Sequence, residues 1–149
     1  MEPVRLKSIR SVYETHTVAE GSPLQTGTRY TSAAEVYNTF CYLQQETKEH
    51  FLSLHLDGKN RILCVDPVSV GSLNQSIVHP RETFKNSLLS SAAALILIHN
   101  HPSGDPTPSA EDLAITKRLK EAGEILGIRI LDHIIIGDSY YSFAEHGLL

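Results

Sequence analysis

The sequence predicts an α/β layered domain, and three observations carry that prediction. Two short, almost continuously apolar runs, at 92–98 and 128–136, have the composition of strands covered on both faces. A third stretch, 49–70, holds two β-prone segments around Asp57-Gly58, a favoured tight-turn pair. Segments with apolar residues at helical spacing separate these strands, so helices must lie on the faces of the sheet.

In order along the chain, the first thirty residues mix β-branched and polar positions with Gly21, Pro23 and Gly27. They read as an extended arm or edge strand followed by a loop. Ser32 and Glu35 have the form of a capping box, and Val36, Phe40 and Leu43 follow at helical spacing, which predicts a helix over 32–46. Residues 49–56 and 61–70 form the predicted hairpin. Pro80 suits a first helical position, Glu82 a first turn, and Phe84 with Leu88 a buried stripe, giving a helix over 80–91. After the apolar strand 92–98, Pro102, Gly104, Pro106 and Pro108 exclude regular structure until Ser109 opens a third helix. Ile115, Leu119, Ala122 and Leu126 mark its buried side, and Gly127 suits a left-handed terminator.

At 149 residues the chain fits one domain, 1–149, since a second core would have too few residues. No stretch approaches the roughly 18 uninterrupted apolar residues of a membrane span, and the amino terminus lacks the apolar core of a secretory signal. The expectation is a cytoplasmic protein without a membrane partner. Cys41 and Cys64 are too few and too isolated to staple a fold, which suits a reducing compartment. A net charge of −4, spread over mixed-sign segments, lacks the basic field of an autonomous DNA-binding domain.

Eight histidines are the unusual count, and two of them are two residues apart. Side chains alternate along a strand, so His99 and His101 point to the same side at the end of 92–98 while Asn100 points away. The Pro102–Pro108 segment turns the chain back, and Asp112, one turn into the next helix, can face the strand end. Three protein donors of this kind suit Zn²⁺ at a catalytic site with an open fourth position, whereas a structural site is normally closed by a fourth ligand. Ser109 with Asp112 also reads as a helix capping pair, and that role is compatible with a metal ligand. Asp105 is the rival acid. Asp132 and His133 interrupt an apolar strand, so one of them is expected to orient an imidazole ligand or line a cleft, unless both simply face water.

The run HNHPSGDPTPSAED at 99–112 resembles the JAMM signature: His-x-His-Pro, six residues, then Ser-x-x-Asp. Together with HPRE at 79–82 and LDHIIIG at 131–137, it is similar to the RadC-like branch of the JAB (MPN-plus) superfamily, over about residues 46–149. Full-length members carry an additional amino-terminal helical region of DNA-binding type, and this chain is expected to be without it. The resemblance implies a three-layer, cytidine-deaminase-like JAB/MPN fold with a mixed central sheet flanked by helices. It also implies a metal-dependent peptidase or isopeptidase-like site acting on a peptide or protein. His99, His101 and Asp112 become zinc ligands, and Ser109 becomes the hydroxyl that steadies the oxyanion. The general base falls to Glu49, which opens the strand 49–56, with Glu46 second. Glu82 and Glu111 read as first-turn helix acids. His79, Arg81 and Ser103 are cleft candidates, and His16, His50, His55 and His146 are incidental.

The rival reading is a non-catalytic or DNA-repair-associated module, with nucleic acid as partner through family association alone, since no basic stripe or aromatic platform is present. The letters His-Asn-His do not make a nuclease, whose motif is spread over a hairpin and a helix. An exposed edge strand in the first thirty residues would allow a homodimer.

Overall fold

The computed structural model describes residues 1–149 apart from 19, 21, 23 and 72–77. Gly21 and Pro23, read above as loop markers, lie outside the described residues. Residues 1–18 are exposed and form no helix or strand. Within 24–30 the strand expectation reduces to one isolated antiparallel bridge, between Arg29 and Arg61.

Helix α1 (Ala33–Phe40) starts where Ser32 accepts the Glu35 N–H at 3.3 Å. Glu35 does not close the capping box; its carboxylate takes the Thr31 hydroxyl instead. The helix expected through residue 46 changes pitch at Phe40 and continues as a 3-10 turn, Cys41–Gln45. The tighter turn points Leu43 into the core and presents its carbonyl to two donors, Glu46 N–H at 3.1 Å and the Asn100 amide at 3.0 Å. A continued α-helix would have spent that carbonyl on residue 47.

Strands β1 (Glu49–Leu56) and β2 (Ile62–Gly71) form the expected hairpin. Helix α2 (Pro80–Leu89) begins with Pro80 at its first position and a His79 side-chain cap. Strand β3 (Ala94–Asn100) is buried at every residue. It begins two residues later than expected because Ser91, at φ 59°, turns the chain first, and it runs on to Asn100 because β1 pairs with it as far as His99 and β4 as far as Asn100. Helix α3 (Ala110–Leu126) ends at Gly127 in the left-handed conformation, φ 74°, as the sequence predicts. Strand β4 (Arg129–Ile136) follows, and a short strand, β5 (Tyr140–Ser142), that the sequence reading did not include turns back against it.

The sheet order is β2-β1-β3-β4-β5, with β3 and β4 parallel and the other pairs antiparallel. Alternation divides its core in two. Leu52, Leu54, Leu56, Ala94, Ile96 and Ile98 pack on Val36 and Phe40 of α1, whereas Phe51, Leu95 and Leu97 pack on Phe84 of α2 and on Ile115 and Leu119 of α3. The result is a mixed α/β sheet between two helical layers. Among the described residues no helix is long and apolar enough to cross a membrane.

Candidate metal centre

The register that builds the core also builds the site. His99 lies on the same face as Leu95 and Leu97, opposite Phe51 on β1, and is fully buried. Asn100 faces the other way, where its amide donates to the carbonyls of Leu43 and Lys48 and its oxygen accepts the His50 N–H at 2.6 Å. This clamp ties β3 to the entry of β1 and fixes the strand at the point where His99 leaves the core. His101, just beyond the strand, is held at its backbone by a 2.8 Å bond from its N–H to the Ile136 carbonyl.

The loop after His101 is braced by two glycines. Gly104 adopts φ 91° and its carbonyl accepts the Asp138 N–H at 2.7 Å. A side chain on Gly137 would stand 2.3 Å from that same carbonyl, so the two loops approach as closely as they do because Gly137 has none. The brace turns the Asp105 carbonyl onto His101 Nδ1 at 2.8 Å. A carbonyl only accepts, so Nδ1 carries the proton and Nε2 of the neutral ring is a lone pair aimed inward.

Asp112 completes the cluster from the first turn of α3. Its carboxylate reaches His99 Nε2 at 3.2 Å and His101 Nε2 at 3.1 Å, and the two Nε2 atoms are 3.0 Å apart. One donor atom from each of the three residues lies within 4.8 Å of the others, a spacing that one cation can bridge. The capping role is present as well: Asp112 Oδ2 accepts the Ser109 N–H at 2.7 Å, and Ser109 Oγ accepts the Asp112 N–H at 3.1 Å. Asp105 does not join the cluster; its carboxylate turns away to accept the Thr107 N–H at 3.0 Å.

Protonation follows this geometry. Burial pushes His99 down, against the attraction of Asp112. Burial also works against charge on His101, but its bonds to Asp112 and to the Asp105 carbonyl outweigh that, and its pKa is raised. Burial would raise Asp112, yet the adjacent His101 and His99 rings, together with the Ser109 N–H, hold it well below the ordinary carboxylate range. A carboxylate facing two imidazole nitrogens thus calls for positive charge between them, which a proton or a metal ion can supply.

The sequence matches the model of the RadC-like JAB domain over residues 30–148. A UPF0758 protein of Pelobacter propionicus is 54% identical over 151 residues, covering 100% of this chain and 66% of the relative. One from Trichlorobacter lovleyi is 58% identical over 144 residues, covering 95% and 63%. One from Geobacter sulfurreducens is 61% identical over 123 residues, covering 81% and 54%. The chain belongs to the RadC-like JAB domain family. It spans between 54% and 66% of the length of these relatives.

In this RadC-like JAB domain His101 and Asp112 border an open cleft of about 360 Å³ lined also by Glu49, Ser103, Thr107, Ser109 and Glu111, and His99 lies buried behind them. Glu49 therefore shares the cleft with His101 and Asp112, whereas Glu46 pairs with His50 at 3.6 Å and is not on its wall. Ser103 is on the wall as expected. His79 and Arg81 are not: His79 caps α2 and meets Arg118 at 3.2 Å, and Arg81 pairs with Glu82. The water-facing alternative for Asp132 and His133 fails, because both are buried. His133 alone meets an imidazole of the cluster, and neither residue is on the cleft wall. His133 Nε2 meets His99 Nδ1 at 2.7 Å, while Asp132 accepts from Ser142 Oγ at 2.6 Å and from Ala144 N at 3.0 Å, bracing the chain after β5.

Thr116 was not singled out from the sequence, and its hydroxyl lies 2.6 Å from His133 Nδ1. Its position four residues after Asp112, on the same helix face, was the available signal. Thr107 was likewise missed, and Glu111, read only as a helix acid, also faces the cleft.

Proposed function

We propose that this domain is a zinc-dependent hydrolase of the JAMM type that cleaves a peptide or isopeptide bond in a protein substrate. The observation that carries the reading is the convergence of His99, His101 and Asp112 on one point at the edge of an open cleft. The donor set fits zinc: two imidazoles and a carboxylate are a catalytic complement, and the cleft supplies the open side. Zinc held there supplies Lewis acidity toward a carbonyl oxygen and a water molecule.

The remaining steps belong to the protein. Glu49, across the cleft, takes a proton from the attacking water on its carboxylate oxygen and later gives it to the leaving nitrogen. Ser109, at the start of α3, donates a hydrogen bond to the carbonyl oxygen as charge grows there. Water adds to the amide carbon, the carbon–nitrogen bond breaks, and the products are an acid and an amine.

The test uses a library of peptide and isopeptide substrates with and without chelator. Turnover is expected to be chelator-sensitive, and Glu49→Gln is expected to keep zinc while losing about 10²- to 10⁴-fold in rate. Full turnover by the Gln variant would move the base elsewhere. Plasmid cleavage or duplex binding at physiological salt, with no peptide hydrolysis, would overturn the hydrolase in favour of a nucleic-acid-associated module.

A further inference from the structure

We infer that Thr116 and His133 are positioning residues that select the tautomer of His99, so that its Nε2 presents a lone pair to the cation. The inference rests on the metal-centre reading above and extends it to two residues outside the ligand set. One group at the end of this chain of contacts has a single hydrogen-bonding sense. The Asp112 backbone carbonyl can only accept, and the Thr116 hydroxyl lies 2.6 Å from it, so the hydroxyl proton is committed there.

The Thr116 oxygen then has only lone pairs left for His133 Nδ1, also at 2.6 Å, and that nitrogen must carry the hydrogen. A neutral His133 with its proton on Nδ1 has an acceptor at Nε2. His99 Nδ1, 2.7 Å away, must therefore be the donor. With the proton of His99 on Nδ1, its Nε2 is a lone pair, and it faces His101 Nε2 and the Asp112 carboxylate. Thr116 thus sets the ligand state of His99 through three hydrogen bonds. Reversing either of the two imidazole bonds would aim an N–H of His99 at the cation position.

Packing keeps the relay from turning over. Phe143 stacks on His133 with centroids 4.8 Å apart and planes at 17°, and Phe51 lies against both rings, at 6.0 Å from His99 and 5.7 Å from His133. Neither imidazole can flip without displacing a buried phenyl ring. The arrangement also differs in charge from the usual carboxylate support of a ligating histidine. Here the support is a neutral imidazole, so it directs the His99 lone pair without adding negative charge beside the ion.

The test combines a spectrum with a substitution series on the full chain. Long-range ¹⁵N–¹H spectra of the metal-free protein at neutral pH should show His99 and His133 both protonated at Nδ1. A His99 protonated at Nε2 would overturn the inference even if zinc binding persists, leaving the functional reading intact. Zinc affinity by chelator competition should fall about 10- to 100-fold in Thr116→Val and return in Thr116→Ser, which restores the hydroxyl. An unchanged affinity in a folded Val variant would overturn the relay, and if that variant does not fold, the parent spectra decide. A parent protein that takes up no zinc would overturn the metal-centre reading and, with it, the positioning role.

Discussion

Two buried polar clusters face the α2–α3 side of the sheet, and they are built to different standards. At the end of β3, the ring nitrogens of His99 and His133, the Thr116 hydroxyl and the Asp112 carboxylate all have partners, and the chain of bonds ends at an open cleft. Between β1, β2 and α2, His55 is equally buried and bonds through Nδ1 to Ser90 at 2.7 Å. There His55 Nε2, Ser53 Oγ, Asp66 Oδ2 and Thr83 Oγ1 have no partner among the described residues. Cys64, 3.3 Å from His55, does not turn this second cluster into a nucleophilic pair, because burial and the nearby Asp66 push its thiol pKa up. Buried histidine therefore does not mark a site. What distinguishes the first cluster is that each of these polar atoms has a partner, and that His99, His101 and Asp112 converge on one point beside an open cleft.

The largest effect should come from removing a member of the first cluster that faces the cation. His101→Ala is expected to abolish stoichiometric zinc, measured by elemental analysis after dialysis. It should also abolish the thermal stabilisation that zinc confers on the parent, about 4 kcal/mol when free metal is about 1,000-fold above Kd. Retention of both would show that the cluster holds no ion. Next is the brace beneath it. Gly137→Ala forces a Cβ to 2.3 Å from the Gly104 carbonyl, and the expected loss is about 1–3 kcal/mol in denaturant unfolding. Zinc affinity should weaken in parallel, because the same loop positions the Asp105 carbonyl on His101.

The comparison sharpens with one substitution made at two places. Thr83 and Thr116 are both buried in helices on this side of the sheet, but the hydroxyl of Thr116 has two partners and that of Thr83 has none among the described residues. Replacing an unbonded hydroxyl by a methyl of the same shape removes a desolvation penalty, so Thr83→Val should stabilise by about 1 kcal/mol. Thr116→Val should destabilise by a similar amount. Equal signs in the two variants would erase the distinction between the clusters.

How much of this was legible in the sequence follows from the range of each signal. The helices and the four longer strands were readable because apolar periodicity is a local property, and the order of His99, His101 and Asp112 was readable because strand alternation and a helix start place them. β5 escaped because three residues, Tyr140 to Ser142, are too few to show a period, and their strand state depends on pairing with β4. The change of pitch at Phe40 escaped for a related reason: the Leu43 carbonyl is claimed by Asn100, which is 57 residues away. In the site, the contact of His133 with His99 spans 34 residues and that of Thr116 with His133 spans 17. Sequence could flag His133 as an ionisable residue in an apolar strand, but only the fold says which imidazole it meets.

The smallest expected effect is a pH dependence that isolates the second cluster. Burial lowers the pKa of His55 below the ordinary 6.5, against the pull of Asp66, so the folded chain refuses a proton that the unfolded chain accepts. The unfolded state then binds more protons as pH falls below about 6.5, and the stability contributed by neutral His55 is present above that pH and lost as pH falls toward the lowered value. His55→Gln keeps an amide near Ser90 without titrating. In chelator, where zinc cannot hold the other histidines neutral, unfolding free energies of parent and variant should diverge between about pH 7 and pH 5. The parent should lose stability faster by at most one proton, about 1.4 kcal/mol per pH unit. Parallel curves would mean that His55 takes up its proton in the folded chain, and the second cluster would then contain a charged imidazole close to Asp66 in place of a neutral one.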